Sequence, residues 1–245
     1  MITKALGVLH TKSRIWFSVL WIISYCILMS VGDELSSAVG CEKAVTLPIG
    51  VLLCTVLFLF LKKNGLCSEY GLKKPSVPAK EVLFYIPAII ILSANLWYGV
   101  TVNYGSAECI LFILSMLCVG ALEEVIFRGL LYGAMREESP TAAVIVSSLT
   151  FGIGHILNLF NGSGADILPN ILQIVYATAA GFMFCMIYVK TDSLIVCILI
   201  HGIFNALSAF SRAPGGAEWQ ILSCILLAVI SGGYALYLAL KKSKR

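Results

Sequence analysis

An all-α bundle of about eight membrane-spanning helices is the architecture this sequence predicts, on three observations. The 245 residues are 59% hydrophobic and only 12% charged, with a mean hydropathy of +0.94, outside the balance of a domain that folds in water. The apolar residues gather in runs near the ~20 needed for a helix to cross a ~30 Å hydrocarbon core, where backbone amides find acceptors only within the helix. The runs are rich in Leu, Ile and Val and lack the strict alternation of a transmembrane β-barrel.

The expected spans are 15–32, 44–61, 82–100, 108–135, 140–160, 168–189, 193–210 and 219–240. Lys4, Lys12 and Arg14 precede the first, as in a signal peptide, but no small-residue cleavage site follows it, so it reads as a retained helix. The polar stretch from Lys62 to Glu81, with two prolines and five lysines, reads as a cytoplasmic connection lying on headgroups. In the fourth span, Gly129 and Gly133 have the small-xxx-small spacing that lets another helix approach closely. Ser139-Pro140 separates the fourth and fifth: serine caps a helix, and proline suits the first helical position because its missing N–H has no intrahelical partner there. No internal repeat or long linker divides the chain, so residues 1–245 read as one membrane domain.

Charge placement orients this bundle. With the N-terminus inside, the cytoplasmic segments hold Lys4, Lys12, Arg14, Lys62, Lys63, Lys73, Lys74, Lys80, Arg136, Lys190, Lys241, Lys242, Lys244 and Arg245, 14 of the 17 basic residues. The outer loops hold Lys43 and Arg212, and Arg128 lies within a span. The positive-inside rule therefore places both termini in the cytoplasm. The net charge of +4 belongs to basic edges facing anionic headgroups, and no basic stripe with aromatics suggests a nucleic-acid partner. Nine cysteines without a CxxC pair read as small buried hydrophobes.

Chemistry is expected where charge sits inside a span, because each such residue costs about 2.5–3.5 kcal/mol at a helix centre. Span four carries Glu123, Glu124 and Arg128, span five His155 after Phe151, and span seven His201 and Asn205. Glu124 and Arg128 are four apart and can pair, whereas Glu123 is rotated about 100° away and can face a cavity. At a rise of 1.5 Å per residue, Glu123, His155 and His201 lie roughly 18, 22 and 14 Å from their cytoplasmic boundaries. Three helices can thus bring a carboxylate, two imidazoles and an amide to one cavity, expected to be reached from the cytoplasm or laterally from the bilayer. Glu123 with His155 suits water activation, and His201 with Asn205 suits oxyanion stabilisation, the needs of a peptidase. Phe151 is expected to pack, and His10 to be an ordinary interfacial residue.

Taken in order on successive helices, Glu123, Glu124 and Arg128, then Phe151 and His155, then His201 and Asn205 resemble the type II CAAX prenyl endopeptidase and bacteriocin-processing (CPBP, Abi) family. The resemblance covers 108–210, the expected catalytic core. It implies an intramembrane endopeptidase acting on membrane-associated or lipid-modified peptides or proteins, in a bacterial cell membrane and in the branch linked to bacteriocin immunity or peptide maturation. In that reading Glu123 and His155 activate water, His201 and Asn205 bind the oxyanion, and Glu124 and Arg128 support them. No cofactor is expected; the alternative is zinc held by Glu123, His155 and His201. Other readings of the same residues are a silent membrane scaffold and a proton-coupled transporter.

Overall fold

The first crossing begins where the sequence supplies a cap: Ser13, extended at φ −160° and ψ 110°, accepts a hydrogen bond from the Trp16 amide at 3.3 Å. In the computed structural model, which describes residues 2–160 and 166–241, nine helical units follow one another. They are α1 (Ile2–Lys12), α2 (Arg14–Val39), α3 (Thr46–Lys63), α4 (Ala79–Leu96), α5 (Ser106–Met135), α6 (Pro140–Leu159), α7 (Ile167–Thr191), α8 (Ile195–Phe210) and α9 (Ala217–Leu240). Seven are long and apolar enough to cross a membrane, and α8 is a shorter apolar helix in the place of the expected seventh span. Of the basic residues used for orientation, Lys242, Lys244, Arg245 and the side chain of Lys4 lie outside the description.

Large apolar side chains stand out along the bundle's exterior: Trp16 67%, Leu52 61%, Ile110 60% and Val229 66% exposed. In water such a surface would drive association; against hydrocarbon it costs nothing. α7 packs between α6 and α9, and α5 between α3 and α8, with α2 against the middle of α5.

Two helix crossings position the site. A Cβ on Gly120 of α5 would stand 2.6 Å from the Gly202 backbone of α8, and one on Gly152 of α6 would stand 1.9 Å from Thr178 Oγ1 of α7. These glycines, not Gly129 and Gly133, are where helices approach each other. A Cβ on Gly129 would instead meet Leu194 at 3.5 Å and Tyr70 at 3.6 Å, and one on Gly133 would meet Tyr70 at 3.2 Å, because the connection after α3 does not all lie on headgroups. Its turn enters the bundle end, with Tyr70 2% exposed and Gly71 (φ 75°) against Tyr188. Gly120→Ala is expected to lower stability by about 1–3 kcal/mol through overpacking against backbone. Gly232→Ala, with nothing within 4 Å, is expected to change it little; thermal unfolding in detergent measures both.

The expected third span also differs. Leu83, Phe84 and Tyr85 adopt φ of 50°, 52° and 59°, and regular α-helix begins only at Ile86. Pro87 suits this start, since its missing N–H has no intrahelical partner in the first turn of a helix.

His10 is buried rather than interfacial. Its Nε2 lies 2.6 Å from the Tyr70 hydroxyl, and its ring meets Phe17 and Phe60 edge-on. Burial and then Arg14 hold its pKa below the ordinary 6.5, with Glu69 opposing. The folded state therefore binds fewer protons than the unfolded chain below pH 6.5. This contact is at full strength above that value and is lost as pH falls through the lowered pKa. Acidifying to about pH 5 is expected to speed amide exchange over α1, an acceleration absent in His10→Phe.

Candidate active site

At the middle of α5 the α-helix gives way to a π-helical stretch, Glu124–Tyr132, every residue of which is buried. Such i→i+5 turns insert an extra residue and recur at functional sites. This one starts at the acidic pair. Glu124 and Arg128 are both fully buried and pair at 3.1 Å through Nη1. The guanidinium carbon sits 4.1 Å from the Phe151 ring centroid and 5.7 Å from that of Phe184, so π faces cover donors that find no oxygen among the described residues. The 100° separation read from the sequence holds: Glu123 lines a cavity and Glu124 does not.

The Gly120–Gly202 crossing carries His201 up to both carboxylates. Its Nδ1 donates to Glu124 Oε1 at 2.8 Å, and its Nε2 faces Glu123 Oε2 at 3.3 Å. The ring stacks on Phe184 at 5.5 Å and meets Phe151 edge-on. His201 thus stands between the two glutamates, one turn before Asn205, with Nδ1 hydrogen-bonded to Glu124.

His155 occupies the point where α6 changes from α to 3₁₀ winding. Its Nδ1 donates to the Phe151 carbonyl at 3.0 Å, which leaves Nε2 as the lone-pair nitrogen. Asn170 holds the His155 carbonyl at 2.8 Å. Phe151 is packing, as expected, but between both histidines and Arg128. Asn205 lies one turn beyond His201 and lines the same cavity as Glu123, His155 and His201.

Tyr25 of α2 is the residue the sequence reading missed. Its hydroxyl donates to Glu123 Oε1 at 2.8 Å, while Glu123 Oε2 lies 3.3 Å from His201 Nε2, so two other helices reach the carboxylate. A tyrosine among the tryptophans, phenylalanine and leucines of an apolar helix carries no charge to mark it. Pairing across helices was its only signal.

The cavity measures about 380 Å³. Its floor is formed by Phe127, Phe151 and Phe184, 3–4% exposed. From there the lining passes to Asp33, Lys43, Asn95 and Ser208 at the end of the bundle opposite the termini. Helix depths led to an expected opening toward the cytoplasm; the lining itself extends away from the end of the bundle that carries the termini. Depth along each helix located the residues, but the Glu124–Arg128 pair and the aromatic floor fill the space on the terminal side.

These groups occupy a region with known relatives. Residues 105–207 match the Rce1-like family of type II CAAX prenyl endopeptidases. The match runs from the start of α5 into α8 and contains Glu123, Glu124, Arg128, His155, His201 and Asn205. A curated protein, "Putative membrane peptidase YdiL" of Bacillus subtilis (strain 168), is 30% identical over 97 residues, which is 39% of this chain and 34% of that protein. The chain thus aligns with about a third of that relative's length. Together with the apolar helices, the Rce1-like match supports an integral membrane protein.

Family and chemistry alike raise the question of zinc. Among the described residues no group of three His, Cys, Asp or Glu side chains is gathered to hold a metal ion. Glu123 and His201 instead face each other, with Tyr25 and Glu124 as their further partners.

Proposed function

We propose that this protein is an intramembrane endopeptidase that hydrolyses peptide bonds of membrane-associated or lipid-modified substrates with water activated by Glu123 and His155. The observation that carries this is Glu123, held by Tyr25 and His201, facing the same buried cavity as the lone-pair nitrogen of His155 and the carboxamide of Asn205.

Water between Glu123 and His155 loses a proton to one of them as its oxygen bonds to the substrate carbonyl carbon. Asn205 donates an N–H to the oxyanion that forms. The C–N bond then breaks, and the captured proton goes to the departing amine, leaving a carboxyl and an amino product. His201 is a positioning residue in this scheme: anchored on Glu124, it fixes the orientation of Glu123. The apolar walls, among them Met29, Ile91, Met116 and Leu227, suit an apolar or lipid-bearing segment.

The test is cleavage of a quenched peptide library by purified protein in nanodiscs, with Glu123→Ala alongside and with and without chelator. Cleavage lost in the variant and preserved under chelation is expected. Loss on chelation with rescue by zinc would transfer the chemistry to a metal, and no cleavage of any peptide would defeat the peptidase reading. Tyr25→Phe removes one hydrogen bond to a charged acceptor, worth about 1.5–3 kcal/mol. It is expected to lower kcat by about tenfold or more with KM little changed.

A further inference from the structure

We propose that the peptide reaches Glu123 from the extracytoplasmic face, so that the substrates are segments already presented on the far side of the membrane. The inference rests on the peptidase reading for its chemistry, but on separate observations for its direction.

The first observation is which residues line the cavity. α2 contributes its middle and far half, from Tyr25 to Asp33; α6 contributes only Phe151 to Asn158, at its far end. None comes from 56–90, 128–150 or 185–199, the parts nearest the terminal end. Exposure rises in the same direction, from the aromatic floor at 3–4% to Leu157 at 37%.

The second is what closes the terminal end. The Glu124–Arg128 pair lies behind the aromatic floor, and Tyr132 and Tyr188 meet edge-on at 5.7 Å. Tyr70 and Gly71 are set into the bundle, with Leu194 N–H donating to the Gly71 carbonyl at 2.8 Å. A peptide arriving there would have to displace a buried ion pair and four close-packed segments.

The third is charge. Lys62, Lys63, Lys73, Lys74, Lys80, Arg136, Lys190 and Lys241 cluster at the closed end, while the open end has Lys43 and Arg212. The positive-inside rule makes the closed end cytoplasmic. At the mouth, Lys43 is bonded to Asp33 at 2.7 Å and Thr46 donates to the same carboxylate at 2.6 Å. A polar, ion-paired rim thus borders the cavity on that side.

The test uses native Cys26, which lines the cavity, as the only cysteine. A small cationic, membrane-impermeant methanethiosulfonate is applied to intact cells and to inverted vesicles. A cysteine-free chain carrying Ser208→Cys serves as a second probe nearer the mouth, and one retaining only Cys67 reports the terminal end. Labelling of Cys26 and Ser208→Cys in cells, and of Cys67 only in inverted vesicles, is expected. Labelling of the cavity only in inverted vesicles, labelling from neither side, or labelling of Cys67 in intact cells would each overturn the proposal. Cleavage by the solubilised protein is measured in parallel: its absence defeats the peptidase reading whatever the labelling, and its presence leaves the side of access to be decided by the reagent alone.

Discussion

Glu123→Gln is expected to reduce peptide cleavage by about 10³-fold or more while the protein remains folded. A positioned general base contributes typically 10²–10⁴ in rate, and the amide that replaces it cannot take a proton from water. The substitution is otherwise mild. The amide oxygen can still accept from the Tyr25 hydroxyl, now 2.8 Å from Glu123 Oε1, and the side-chain volume is unchanged. The loss should therefore fall on kcat, with helical circular dichroism and the thermal midpoint in detergent close to wild type. Retention of more than a tenth of the activity would show that proton abstraction belongs elsewhere, with His155 Nε2 the remaining base on the cavity wall.

That such a variant can be chosen at all reflects how unevenly the sequence exposes its site. Ionisable groups inside apolar runs are costly enough to stand out, so Glu123, Glu124, Arg128, His155 and His201 were visible before any contact was known. The Glu124–Arg128 pairing followed from helical spacing alone. What spacing does not reveal is how helices meet. The crossing at Gly120 and Gly202 places His201 between two carboxylates, where the sequence suggested an oxyanion donor beside Asn205. Tyr25 was hidden because it is ordinary in an apolar helix until Glu123 is opposite it. The π-helical stretch has no compositional mark, and neither does the Tyr70 turn, whose lysine-rich flanks advertise a headgroup loop.

The same limit explains the cavity's direction. Depth along a helix is a one-dimensional quantity: counted from the cytoplasmic boundaries it brought the candidate groups to one level, and access from the cytoplasm or the bilayer was expected from it. Which side is open depends on where bulky side chains converge, and Phe127, Phe151 and Phe184 come from three different helices. Pairwise convergence of this kind is a property of the packed bundle.

Arg128→Ala is expected to be the most destabilising single substitution in the site. Removing one member of a buried ion pair leaves the other as an uncompensated charge and typically costs about 3–5 kcal/mol, and here Glu124 is fully buried. The guanidinium also fills the space over Phe151 at 4.1 Å, so truncation adds a cavity to the lost charge. Arg128→Lys should recover little, because a point-charge ammonium cannot lie flat against that ring while reaching Glu124. The double variant Glu124→Gln with Arg128→Met discriminates between causes. It removes both charges, keeps an acceptor for His201 Nδ1 and restores volume, so it should regain most of the lost thermal stability. It should nonetheless cleave poorly, because His201 would be held by a neutral amide and would orient Glu123 less firmly. If the double variant is as unstable as Arg128→Ala, the cost lies in packing around Phe151 and Phe184, and the pair serves shape more than charge. If Arg128→Ala alone melts within a few degrees of wild type, Glu124 is not carrying a buried charge, and its hold on His201 must come from a shared proton instead.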